Sequence, residues 1–244
     1  MEDGARIHIG TSGWHYKHWK GPFYPEDLPD ERMLEHYAGF FDTAEINSTF
    51  YHLPEEGTIA QWRDAVPDKF IFTVKASRYI THMKKLKDPQ QTLPRFLSRA
   101  QVLGDKLGPI LFQLPPRWQV NLDRLEAFLG TLPSGLRYAF EFRDPSWLNE
   151  RSEEVLAKAG AAFCIYDLDG RQSPLSVTAD FVYVRLHGPQ GAYQGSYDDA
   201  TLKDWGRTFL SWVREGKEVY CYFDNDEKGY AVLNALDLKG LDYA

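Results

Sequence analysis

One feature constrains this chain more than any other. Short β-rich runs alternate with stretches of helical spacing along the whole of its 244 residues. The β-rich runs lie at 7–10, 43–47, 70–75, 110–113, 138–143, 162–167, 181–187 and 218–223. The helix-like stretches between and after them lie at 31–41, 58–65, 92–103, 122–129, 153–159, 198–214 and 227–236. Leu122, Leu125 and Leu129 repeat at helical spacing, as do Leu202, Trp205, Phe209 and Trp212. Asn121 and Asp198 stand where a helix needs a side-chain oxygen to cap its first free N–H groups. Eight strand-plus-helix units in about 250 residues is the size of a (β/α)8 TIM-like barrel. A doubly wound open sheet is the rival, but its G-x-G-x-x-G fingerprint follows none of the runs. No linker or low-complexity tract divides the sequence, so residues 1–244 read as a single domain. Residues 170–179 lack a helical pattern, so the barrel helix after strand six is expected to be missing or replaced by loop.

Composition narrows the function classes. Hydrophobic residues make up 43% and charged residues 26%, which is neither a disordered nor a membrane composition. A net charge of −7 argues against binding nucleic acid by bulk charge and leaves only a local basic patch for that role. Two cysteines exclude a disulfide scaffold and a cysteine-rich zinc module. Cys164 and Cys221 fall on strands six and eight, separated by the seventh, roughly 10 Å apart and beyond disulfide reach. Both are expected as free thiols beneath helices, since their parity is opposite to that of Asp167 and Asp224. No signal-peptide pattern opens the sequence and no long apolar run follows, so a cytoplasmic location is expected.

Period-two alternation locates the chemistry. In a barrel strand alternate residues face the interior, and the last of them reach the carboxyl-terminal mouth where sites are built. That parity selects Glu45 and Asn47, then Thr73, Lys75 and Ser77, Gln113, Glu141 and Arg143, Asp167, Arg185 and His187, and Tyr222 and Asp224. A barrel held by packing alone would carry Val, Ile or Leu there. These charges must therefore pair with one another or meet a polar ligand. No metal is expected, because Lys75, Arg143 and Arg185 crowd the same mouth and only one histidine joins them. No organic cofactor is expected either. A nucleophilic triad is disfavoured: G-x-S-x-G is absent and no base is evident for Ser12, while His15 and His18 read as loop histidines. Five aromatics in residues 14–24 either stack a ligand or pack as a small lid core. From Lys75 to Lys87 the chain carries five Lys or Arg residues and His82 with no acid, a stretch suited to phosphates or to solvent.

Several motifs add a resemblance. They are Gly10-Thr11-Ser12-Gly13-Trp14, Phe23-Tyr24-Pro25, Glu45-Ile46-Asn47-Ser48-Thr49-Phe50-Tyr51, Phe72-Thr73-Val74-Lys75, Gln113-Leu114-Pro115-Pro116, Glu141-Phe142-Arg143 and Tyr183-Val184-Arg185-Leu186-His187-Gly188. In this order they resemble the YecE-like family, a set of proteins named only as a domain of unknown function, over nearly the whole chain. The family pattern departs at Tyr222-Phe223-Asp224-Asn225-Asp226, where a paired-Asn run is expected. The resemblance implies a TIM-like barrel, loosely similar to those of endonuclease IV and xylose isomerase, and no settled activity.

Ring and motifs together give Glu45, Glu141 and His187 as candidate catalytic residues. Trp14, Asn47, Tyr51, Lys75, Gln113, Arg143, Arg185, Asp224 and Asn225 are candidates for binding a substrate or anion. The expected function is a metal-independent hydrolase or lyase acting on a phosphate- or sugar-containing ligand, with the carboxylates moving protons and the cations holding the anion. The alternative is a non-catalytic barrel that binds nucleic acid through the basic stretch and the aromatics; a small-molecule sensor is a third class.

Overall fold

The computed structural model describes residues 6–242. Among the described residues the strands are β1 Ile7–Thr11, β2 Thr43–Ile46, β3 Ile71–Lys75, β4 Leu107–Gln113, β5 Tyr138–Glu141, β6 Ala162–Leu168, β7 Arg171–Gln172, β8 Phe181–Leu186 and β9 Glu218–Phe223. The helices are α1 Met33–Ala38, α2 Ser48–Tyr51, α3 Glu56–Asp64, α4 Pro89–Gln101, α5 Leu122–Leu129, α6 Glu150–Lys158, α7 Asp199–Arg214 and α8 Tyr230–Gly240. The hydrogen-bonded strand order is β1-β9-β8-β6-β5-β4-β3-β2, with β7 attached to β6. A bridge between Ser12 and Glu45 joins the two ends of that path. Its eight long strands and alternating helices make the fold a (β/α)8-type barrel. The expected gap is present: β6 turns back as an antiparallel hairpin into β7, and no helix forms before β8.

The elements form for the reasons the sequence gives. Asn121 Oδ1 accepts from the Arg124 N–H at 2.9 Å and Asp198 Oδ1 from the Thr201 N–H at 2.8 Å, so both expected caps operate. α7 buries Leu202, Trp205, Phe209 and Trp212, its apolar stripe. Strand two ends one residue early, because Asn47 adopts helical angles and opens the one-turn α2.

Among the described residues two compact units are distinguished by their contacts: residues 6–45, 165–173 and 180–242, and residues 46–164 and 174–179. In the first, β1, β8 and β9 pair in parallel, and Gly10 lets β1 approach β2. A Cβ at Gly10 would stand 2.4 Å from the Thr43 carbonyl oxygen. In the second, β3, β4 and β5 pair in parallel, and Phe112 stacks on Phe140 while Phe128 meets both rings edge-on. Among the described residues no helix is long and apolar enough to cross a membrane.

Candidate active site

In the first unit the polar strand ends close into a buried network. Glu45, next to the last residue of β2, has no solvent exposure, and three donors reach its carboxylate. Ser12 Oγ donates to Oε1 at 2.5 Å, Arg185 Nη2 to Oε1 at 2.7 Å, and the Tyr183 hydroxyl to Oε2 at 2.7 Å. Arg185, itself fully buried, also donates to Asp224 Oδ2 at 2.9 Å. The same Asp224 oxygen lies 3.0 Å from His187 Nδ1, and Arg185 Nη1 lies 3.4 Å from His187 Nε2. Two carboxylates thus share one guanidinium, with an imidazole on the far side, so no charge in the network lacks an opposite neighbour. Behind His187 the chain must turn sharply. Gly188 has φ +112°, and a Cβ there would lie 2.2 Å from the Gln194 carbonyl oxygen. Asn225 is buried, its amide bonded to Gly195 and Asn234. Trp14 is buried as well, and its carbonyl accepts from the Tyr24 hydroxyl.

The aromatic residues at 14–24 pack as a small core. Trp19 meets Tyr16 tilted at 4.9 Å and stacks with Tyr24 at 5.9 Å, and Trp19 has no exposed surface. From this core Trp19 Nε1 donates to Asp226 Oδ1 at 2.6 Å, while His18 Nε2 lies 3.0 Å from Oδ2. Burial and the nearby Asp224 charge outweigh these partners and raise the Asp226 carboxyl to about 6. Neither Asp226 nor this role for His18 was visible in the sequence, because the contact joins segments 208 residues apart. Asp167 departs from the expected ring. It takes a hydrogen bond from Tyr197, whose ring meets Phe223 edge-on at 5.9 Å, and burial raises its carboxyl above the usual range.

The second unit gathers a cationic group at the ends of β3 and β5. Arg143 Nε pairs closely with Glu141 Oε1, and Glu141 has no exposed surface. Lys75 ends β3, nearly buried, with its ammonium 4.4 Å above the Phe50 ring. Gln113 ends β4 and is also buried. Asn47, at the start of α2, has a buried Oδ1 with no hydrogen-bond partner, whereas Tyr51 in the same helix is 72% exposed. Beyond β3 the backbone forms a π-turn at Tyr79–Met83. It presents His82, half-buried, edge-on to Phe50 at 5.0 Å, with Nδ1 2.9 Å from Thr81 Oγ1. Burial, then Lys75, Arg78 and Arg143, drive the His82 imidazole down to about 4, against a smaller opposing pull from Glu141. His82 was part of the basic stretch but not of the candidate site.

Both cysteines are free and buried. Cys221 alternates with Tyr222 and so faces away from the polar network, as expected. Cys164 does not lie beneath helices. Its Sγ stands 3.9 Å from Glu141 Oε2, which puts it on the polar face of β5 and β6. Ala139 pairs with Ala162 and Phe140 with Phe163, so Glu141 comes opposite Cys164. Counting back from Asp167 therefore gave the wrong face. Among the described residues no group of three His, Cys, Asp or Glu side chains is arranged to hold a metal ion.

A family model described as a protein of unknown function, DUF72, matches residues 8–241. The UPF0759 protein YecE of Escherichia coli K12 is 30% identical over 155 residues, 63% of this chain and 54% of that protein. The chain thus matches about half the length of that relative. The UPF0759 protein YunF of Bacillus subtilis is 23% identical, with 98% of this chain and 96% of that protein covered. The crystal structure of a DUF72 family protein from Thermotoga maritima superposes with a TM-score of 0.87 at 30% identity, covering 96% of this chain and 98% of that one.

Proposed function

Because the chain belongs to the DUF72 family, whose name assigns no chemistry, we propose its function from its own residues: a metal-independent enzyme of hydrolase or lyase type acting on a phosphate- or sugar-containing ligand. The observation that carries this reading is the charge around His82. Three cations, Lys75, Arg78 and Arg143, act on that ring against the single carboxylate of Glu141. An electropositive, largely buried corner at strand ends stabilises an anion, and this end of a barrel is where sites are built. In the proposal Arg143 offers a planar fork to the anionic group, Lys75 a point charge, and Gln113 and Asn47 hydrogen bonds. Tyr51 supplies an apolar face. Glu141, beside Arg143, moves the proton.

In the first unit the proposal assigns a proton-moving pair of its own: the Asp224 side chain is 11% exposed, and its Oδ2 lies 3.0 Å from His187 Nδ1. His187 passes a proton through that contact. Glu45 and Arg185 hold the pair in place, with Trp14 and Asn225 framing it. The proposal includes a cytoplasmic location, supported by two cysteines carried as free thiols. Glu141→Gln tests the chemistry. Single-turnover cleavage of p-nitrophenyl phosphate should be lost while Tm stays near that of wild type. A large fall in Tm with cleavage intact would assign the Glu141–Arg143 pair to the fold alone.

A second reading, a non-catalytic nucleic-acid-binding barrel, is favoured by the exposed rings of Tyr51 and Tyr79, the latter with the Lys84 ammonium 5.9 Å from its centre. Neutralising Lys84, Lys85 and Lys87 should then weaken oligonucleotide binding and flatten its salt dependence. Unchanged binding at every salt concentration removes this reading.

A further inference from the structure

His82 has a position that the proposed chemistry leaves unused. Its ring stands on Phe50 of α2, and Phe50 also carries the Lys75 ammonium over its face. The charged groups acting on it are Lys75 at the end of β3, Arg78 just after it, Glu141 at the end of β5 and Arg143 just after that. Its own segment contributes Thr81, whose hydroxyl lies 2.9 Å from Nδ1 and also reaches the Ser77 carbonyl at 3.4 Å. The Nδ1 contact fixes the ring, and Nε2 is the ring nitrogen that it does not engage.

We propose that His82 is a further ligand of the anion site and holds the anion as an imidazolium, taking one proton from solvent as the anion enters. The inference rests on the anion-site reading above and adds to it a residue and a proton. Without the anion, burial and three cations keep His82 neutral at pH 7, since its pKa lies near 4. A bound dianion reverses the local field and accepts a hydrogen bond, and both effects favour the charged ring. The proton balance is simple. Neutral His82 carries one N–H and imidazolium two; one then donates to Thr81 Oγ1, which keeps its own proton toward Ser77, and the other donates to the anion. Binding and protonation are linked, so each strengthens the other by the same factor. The residue therefore favours doubly charged anions at mildly acid pH.

Sulfate is the appropriate probe because it stays a dianion throughout the useful range. Its affinity for the full-length chain would be measured by calorimetry from about pH 5 to about pH 8, in buffers of different ionisation heat, with His82→Gln beside wild type. For wild type, sulfate affinity should rise toward tenfold per pH unit as pH falls below the pKa of the bound state, with proton uptake approaching one. In His82→Gln the affinity should be flat across the range. As a check that needs no variant, the His82 ring followed by NMR in wild type should titrate near pH 4 without sulfate and well above that with it. Sulfate binding that is independent of pH in wild type, with an unmoved His82 titration, overturns the role of His82 and leaves the anion site standing. Failure of sulfate to bind wild type at any pH overturns both.

Discussion

His8 offers the sharpest test of the electrostatics of the first unit. Its side chain is 5% exposed at the start of β1, stacked on Tyr220 at 4.8 Å. Nε2 lies 2.9 Å from Glu218 Oε1 and Nδ1 lies 3.5 Å from Asp42 Oδ2. Burial alone would lower the imidazole, but the two carboxylates outweigh it and raise the pKa from 6.5 to about 9. The folded chain therefore keeps a proton that the unfolded chain releases near pH 6.5. The stabilisation is complete below that value and is lost as pH rises through about 9. At about 1.4 kcal/mol per pKa unit, the displacement corresponds to about 3 kcal/mol. Urea unfolding of wild type and His8→Gln from about pH 6 to about pH 9.5 isolates the effect, because other titrating groups cancel in the difference. The advantage of wild type should shrink by about 3 kcal/mol across that range. A difference that stays constant, or grows with pH, refutes the assignment of a buried imidazolium.

Three further outcomes follow from named contacts. Arg185→Ala leaves Glu45 and Asp224 buried without their shared cation and should cost about 3–5 kcal/mol in urea unfolding. Asp198→Ala removes the α7 cap and should cost about 1 kcal/mol by the same assay. Both thiols should resist a disulfide-exchange reagent in the native state and react on unfolding, since Cys164 and Cys221 are buried and burial raises the Cys221 thiol.

The features legible in the sequence were local ones. Helical spacing marked α5 and α7, and Asn121 and Asp198 announced their starts, because a cap and an apolar stripe act within a few residues. The strands were legible for the same reason, and their parity grouped Glu45 with Arg185 and Glu141 with Arg143. Parity failed on β6. Which face Cys164 and Asp167 occupy depends on register with β5 and on the hairpin to β7, and a miscount of one residue inverts a strand. Asn47 read as strand because its helical turn is only four residues long. His82 was hidden in a π-turn, which has no repeating pattern to mark it. The Trp19–Asp226 contact joins the two ends of the chain and leaves no trace in either segment alone.

In the proposed function an anion binds in the second unit beside Lys75 and Arg143, both of which act on His82. A crystal structure determined with inorganic phosphate tests it most directly. Phosphate should lie within hydrogen-bond reach, about 3 Å, of Lys75 Nζ and the Arg143 guanidinium, with His82 Nε2 turned toward it. Phosphate bound elsewhere on the chain, with those side chains unoccupied and unmoved, would contradict it.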